Sequence, residues 1–242
     1  YELLGDMGWS SSDIDLDSWT RQYCSARYGC CDEKVIRAWE LLRQNVYASL
    51  YSYPRFTWQT VDPDRRRPNG HAINDDFGRA VRLLLEASDS CNNSPLYRND
   101  VLEFSAVWLG EVADRHYAKA REARDAGDRT TAREELSRCI DLLRKADRLL
   151  ASHPDYRLEK WVGYAEKAAP TDSLRRHYAA NARRIISTWG GFQEDYAARF
   201  WSGMIRDYYI PRLEIRFSDH PERLADWEEQ WVLSPETSEA QP

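Results

Sequence analysis

The stretch ISTWGGFQEDYAARFWSGMIRDYYIPRLEIRF, residues 186–217, decides the fold. Laid on a helix at ~100° per residue, Tyr196, Phe200, Met204 and Tyr208 step along one face. Ala197, Trp201, Ile205 and Tyr209 widen that face, leaving Asp195, Arg199, Ser202 and Arg206 on a narrow polar strip. A helix that is apolar around most of its circumference is buried around most of it. The pattern predicts a central buried helix near 193–217 in an all-α, single helical-bundle domain. Pro211 lacks a backbone donor and predicts a kink. Asp207 falls on the apolar arc, and Arg212 points inward if the helix continues past Pro211. A buried charge is paired or lines a polar cavity, so two readings stand. One is an internal ion pair of Asp207 with Arg212 or Arg183; the other is a polar cleft at this end of the helix.

Working outward, the same alternation of helical period and punctuation continues. Asp15 or Asp17 caps a helix through Tyr28, stopped by Gly29. Asp32 caps a second to about Tyr51, with Val35, Trp39, Leu42, Val46 and Leu50 inward. Residues 53–74 lose the period: three prolines, the basic run Arg65-Arg66-Arg67, and the aromatics Tyr53, Phe56 and Trp58. A connection that long inside a compact domain is usually functional or disordered, and its aromatics favour function. Asp75 or Asp76 restarts helix, placing Phe77, Ala80, Val81, Leu84 and Leu85 on one face. A long helix over 96–126 and its return over 130–151 form a hairpin about Gly127-Asp128. Pro154, Pro170 and Gly190-Gly191 punctuate three more helices, and Pro221 opens a last one through Trp231. The count is about nine helices. The domain runs over 1–233, followed by a loose tail, 234–242.

Composition narrows the function. With 42% hydrophobic and 31% charged residues, the low mean hydropathy of −0.74 reflects charge rather than missing core. A net charge of −6 argues against a phosphate-tracking nucleic-acid surface. No apolar run approaches the ~18 residues of a membrane span. The chain opens within YELLGDMGW, which reads as a helix already under way and hence as a piece of a longer protein. Five cysteines leave at least one unpaired. Cys24 and Cys139 lie on helical patterns as buried thiols, and in an oxidising compartment Cys30 or Cys31 pairs with Cys91. Asn92-Asn93-Ser94 is a sequon, making Asn92 a glycosylation candidate.

The familiar catalytic templates are missing, and no cofactor or metal is implied. Glu111, Asp114 and His116 splay around a helix instead of converging, and Asp75 near His71 is better read as a cap than as a cation ligand. Glycoside cleavage ordinarily requires two carboxyl groups set across the scissile bond, and no pair here stands out for it.

The motifs Trp189-Gly190, Asp195-Tyr196-Ala197, Trp201-Ser202-Gly203, Asp207-Tyr208-Tyr209 and Pro211-Arg212 carry a resemblance. Together they resemble the signature of the C-terminal helical region of α-N-acetylglucosaminidases, glycoside hydrolase family 89. Tyr178, Asn181 and Arg183 extend it upstream, as do Tyr1, Leu3, Met7-Gly8-Trp9, Asp15-Leu16, Trp19 and Arg27-Tyr28-Gly29 at the start. The resemblance implies a retaining glycosidase, secreted or lysosomal/vacuolar, whose two catalytic glutamates belong to a preceding β/α barrel. The second of them lies shortly upstream of Tyr1. The chain's partners are then that N-terminal barrel and a glycan ending in α-linked N-acetylglucosamine, with the helical region closing one wall of the pocket. Trp58 and His71 in the 53–74 loop are the first substrate-contact candidates; Asp207, Tyr208 and Arg212 are the second. The sequence departs from the family near His71-Ala72, where relatives carry an aromatic pair. An apolar docking face near Tyr1–Trp9 and the central helix is expected. The rival reading is a tetratricopeptide-like interaction module, suggested by AREARDAGDRTTAREEL over 120–136, although no second copy follows.

Overall fold

The structure, a computed structural model, describes residues 1–48, 56–60, 73–189 and 197–233. Among these it is all-α, with eleven α-helices, somewhat more than the nine expected, and one isolated parallel bridge between Arg157 and Ser202. The described residues fall into two compact units, 1–48 with 73–104, and 56–60 with 105–233.

In the first unit, α1 (Glu2–Trp9) precedes α2 (Leu16–Tyr28). Asp15 caps α2 by accepting the Asp17 and Ser18 N–H groups, and Gly29 ends it at φ 70. Asp32 caps α3 (Glu33–Gln44) through the Lys34 N–H. α3 is shorter than its pattern suggests. Asn45 turns its amide back onto the Leu41 carbonyl at 2.8 Å, a local bond that competes with continuing the helix. α4 (Asp75–Glu86) is capped by Asn74 and not by either aspartate, and Leu85 lies outward, 51% exposed. α5 (Ser88–Cys91) is a single turn. Cys30 is joined to Cys91; Cys24 and Cys139 are buried thiols and Cys31 is exposed. Burial pushes the Cys24 thiol up to about 12.

α6 (Pro95–Asp125) starts in the first unit and continues into the second. Its Asp100 accepts from Arg27 Nε and Nη2 at 2.6 and 2.8 Å and from the Tyr28 hydroxyl at 2.6 Å. Trp39 Nε1 donates to that hydroxyl at 2.9 Å. The motif Arg27-Tyr28-Gly29 thus ties the end of α2 to the start of α6 through a buried carboxylate.

In the second unit, α7 (Arg129–Ala151) runs back along α6 after Gly127, at φ 82. His116 on α6 and Glu135 on α7 share a 2.6 Å hydrogen bond across the hairpin. Leu136, Ile140, Leu143, Ala146 and Leu150 are buried, as their spacing predicts. α8 (Leu158–Lys167) and α9 (Asp172–Ile185) pack on each other. Of the expected helix over 193–217, residues 193–196 lie outside the described residues and the remainder is helical only from Met204. A π-turn, Met204–Tyr209, leads into α10 (Ile210–Arg216), and 197–203 are non-helical. Met204, Ile205, Tyr208, Tyr209, Ile210 and Leu213 are buried as expected, whereas Phe200 and Trp201 are half-buried, Ser202 from the expected polar strip is buried, and Tyr196 lies outside the described residues. Pro211 sits in the first turn of α10, where its missing N–H is tolerated. α11 (Leu224–Leu233) closes the described chain.

Candidate functional site

Trp58, Tyr208 and Arg212 come together in the second unit, inside it. Arg212 has no exposed surface. Its Nη1 lies 3.3 Å from the Tyr208 hydroxyl and 3.7 Å from Glu228 Oε1 on α11. Its Nη2 donates to the Gln59 carbonyl and lies 3.5 Å from that of Trp58. The guanidinium sits 5.0 and 5.3 Å from the ring centres of Tyr208 and Tyr209. Tyr208 donates to Glu228 at 2.7 Å and packs against Trp227 and Trp231; burial pushes its hydroxyl well above the ordinary phenol range.

Trp58 also has no exposed surface: its indole N–H donates to the Gly110 carbonyl at 3.0 Å and its ring stacks on Phe56 at 5.1 Å. Gly110 leaves room for this. A Cβ there would lie 2.6 Å from the Phe56 ring. The loop around Trp58 is held by Asp114, which accepts the Thr57 hydroxyl and the Trp58 N–H, both at 3.0 Å. These rings and the arginine therefore pack the interior and present no surface on which a sugar could stack. His71 lies outside the described residues.

Asp207 is rotated off the apolar arc, because a π-turn advances each residue by less than the ~100° of an α-helix. It is half-buried and forms a two-point pair with its neighbour Arg206, at 2.7 and 2.8 Å. Neither partner foreseen for it takes that place. Arg212 faces Glu228, and Arg183, 3% exposed, donates to the Val232 carbonyl at 3.1 Å in the last turn of α11.

The residue that sequence reading missed is Asp147 on α7. It is 5% exposed, and its Oδ1 accepts the Gly203 N–H at 2.9 Å and the Arg206 N–H at 3.3 Å. It is a cap supplied from 56 residues away to the start of the π-turn. Burial pushes its carboxyl above the usual range, against the pull of those donors and of Arg206. An aspartate between the buried Ala146 and Leu150 on the inward face of α7 was the available signal. Gly203 is at φ 87 beside Leu158, a backbone state that favours glycine.

The buried carboxylates Asp100, Glu135 and Asp147 each have their own structural donors. His116 Nδ1 on Glu135 and the Glu111–Arg115 pair at 3.0 Å occupy the acidic cluster on α6. Among the described residues no three His, Cys, Asp or Glu side chains converge as a metal site would require, and no helix is long and apolar enough to cross a membrane. Asn92 is exposed in the turn before α6.

What the surface offers instead is apolar. α1 buries none of its eight residues, and Leu4, Met7 and Trp9 are 68%, 59% and 94% exposed. On α9 only Ala179 and Arg183 are buried, while Leu174, Tyr178 and Ile185 are exposed. In the first unit α1 is thus apolar and exposed, in the second unit α9 exposes apolar residues of its own, and the central helix, expected to share such a face, is buried instead.

The sequence model of the α-N-acetylglucosaminidase C-terminal domain matches residues 19–241. Human α-N-acetylglucosaminidase is 29% identical over an alignment of 227 residues that covers 89% of this chain and 30% of that protein. A family 89 glycoside hydrolase from Clostridium perfringens, in complex with 2-acetamido-1,2-dideoxynojirmycin, superposes with a TM-score of 0.85 at 22% identity. The same enzyme in complex with its substrate GlcNAc-alpha-1,4-galactose gives 0.81. Each superposition covers 97% of this chain and 30% of the bacterial one, so the chain spans less than a third of the relatives it matches. α6 and α7, 31 and 23 residues long, far exceed the helices of a ~34-residue tetratricopeptide unit. Matched over nearly its whole length, the chain belongs to the family of α-N-acetylglucosaminidase C-terminal domains.

Proposed function

We propose that this domain is the non-catalytic helical part of a retaining α-N-acetylglucosaminidase. In this reading it packs on a β/α barrel of the same polypeptide and helps shape a pocket for terminal α-linked N-acetylglucosamine. The carrying observation is α1, which exposes Leu4, Met7 and Trp9 and buries nothing. A helix of eight residues is marginal in water by itself and draws its stability from the face it packs. Support comes also from the relatives, which are glycoside hydrolases more than three times as long as this chain. The buried carboxylates of the described residues each accept structural donors, and in this reading the acid and nucleophile belong to the barrel.

The test is turnover of an aryl α-N-acetylglucosaminide by the isolated chain. No hydrolysis is expected. Hydrolysis that disappears when one of the chain's own carboxylates becomes the amide overturns the proposed division of labour.

A further inference from the structure

α9 is built inside out. Seen down its axis, the buried residues Ala179 and Arg183 mark the side facing the rest of the unit. Leu174, Tyr178, Asn181 and Ile185, spaced i, i+4, i+7 and i+11, fall within an arc of about 60° on the opposite side. An ordinary surface helix carries its charges there. On α9 Asp172 and Arg176 share the side of Ala179 and Arg183, and Arg175 and Arg184 lie to the flanks, where Arg175 pairs with Asp172 at 3.1 Å and Arg184 holds Glu229 with two bonds of 2.8 and 2.6 Å. The line opposite Ala179 and Arg183 is left to Leu174, Tyr178 and Ile185, 37%, 36% and 39% exposed, with one amide among them.

Resting on the reading that the chain is one part of a longer glycosidase, we infer that this line is covered by the polypeptide preceding the domain. Two observations select that occupant. The superposed bacterial fold accounts for 97% of this chain, yet 70% of that enzyme lies outside the match (100 − 30), so most of the parent is available to cover it. The line is also narrow. Eleven residues of rise make it ~16 Å long and one side chain wide, well short of the ~800 Å² per partner of a stable dimer. A covalently linked neighbour meets it at high effective concentration, so a narrow strip suffices. Asn181, once covered, requires a hydrogen-bonding group from that neighbour.

Single cysteines report coverage without disrupting the fold. Leu174→Cys and Ile185→Cys are made in the intact polypeptide and in this chain alone, with Met7→Cys on α1 and the outward-facing Leu85→Cys for comparison. Maleimide labelling is followed peptide by peptide, which separates the native Cys31. The expected result is at least tenfold slower labelling of positions 174 and 185 in the intact protein than in the isolated chain, with position 85 unchanged. Equal labelling at 174 and 185 overturns the assignment of α9. In that case a protected Met7→Cys leaves the multidomain reading standing, and a reactive one removes both. Protection in the isolated chain that deepens with its concentration makes the occupant a second copy and also overturns the inference.

Discussion

Replacing Arg212 by methionine tests whether the arginine is a packing element or a ligand contact. Methionine keeps the unbranched stem between Tyr208 and Tyr209 and removes the charge. The Gln59 carbonyl loses its donor, and Glu228, whose side chain is 12% exposed, loses the cation 3.7 Å away. Breaking a buried ion pair from one side costs about 3–5 kcal/mol, because the remaining charge stays desolvated. The residual exposure of Glu228 lets water relieve part of this, which favours the lower end, about 3 kcal/mol. For a chain of this size that is a fall in Tm of roughly 10 °C. Arg212→Lys should cost about half as much, since one ammonium cannot serve the carbonyl, the Tyr208 hydroxyl and the carboxylate together. Adding Glu228→Gln to Arg212→Met should recover about 1–2 kcal/mol, the signature of a coupled pair. Urea unfolding followed by tryptophan fluorescence is suited to this, with Trp58, Trp227 and Trp231 all beside the site. A loss below about 1 kcal/mol for Arg212→Met, or strict additivity of the double variant, refutes the reasoning.

Asp147→Ala should cost about 1–2 kcal/mol by uncapping the π-turn, whereas Asp147→Asn retains an acceptor. Because burial raises the folded carboxyl above its ordinary 3.8, the stability it contributes is full below that value and is lost as the pH rises through the elevated one. Urea midpoints between about pH 4 and 7 should therefore show wild type losing ground to Asp147→Asn on raising the pH; parallel curves would sink the assignment. Gly110→Ala sets a helix-propensity gain of ~1 kcal/mol against overpacking of the Phe56 ring, about 1–3 kcal/mol, and the collision should win, lowering the midpoint of thermal unfolding. Cys91→Ser should cost about 2–5 kcal/mol and Cys31→Ser within about 0.5. Equal losses in denaturant titrations without reductant would place the disulfide elsewhere.

The helices, their caps and their inward faces were largely legible. Asp15, Gly29, Asp32 and Gly127 act within four residues of themselves, so a linear reading captures their chemistry. The hairpin followed from a short polar turn between two long periodic runs. Misplacements occurred where a local competitor outranked the period: Asn45 back-bonding to Leu41, Asn74 capping ahead of Asp75, and the π-turn at Met204. The candidate site was less legible. Trp58, Tyr208 and Arg212 were singled out as aromatic and charged residues fit for a sugar, and the fold brings them together as packing. Composition does not distinguish a ring that faces solvent from one that faces Gly110.

The sequence by itself determined the all-α class, the family and the apolar character of 204–213, because helical period and capping are properties of near neighbours. Tertiary structure alone decided the pairing of charges: Asp207 with Arg206, Arg212 with Glu228, and Asp147 at the head of the π-turn. Those partners are set by a local change in rise and rotation and by helices meeting across tens of residues. The same holds for α9, whose apolar line is seen to lie opposite the buried side only once Ala179 and Arg183 show which side faces in.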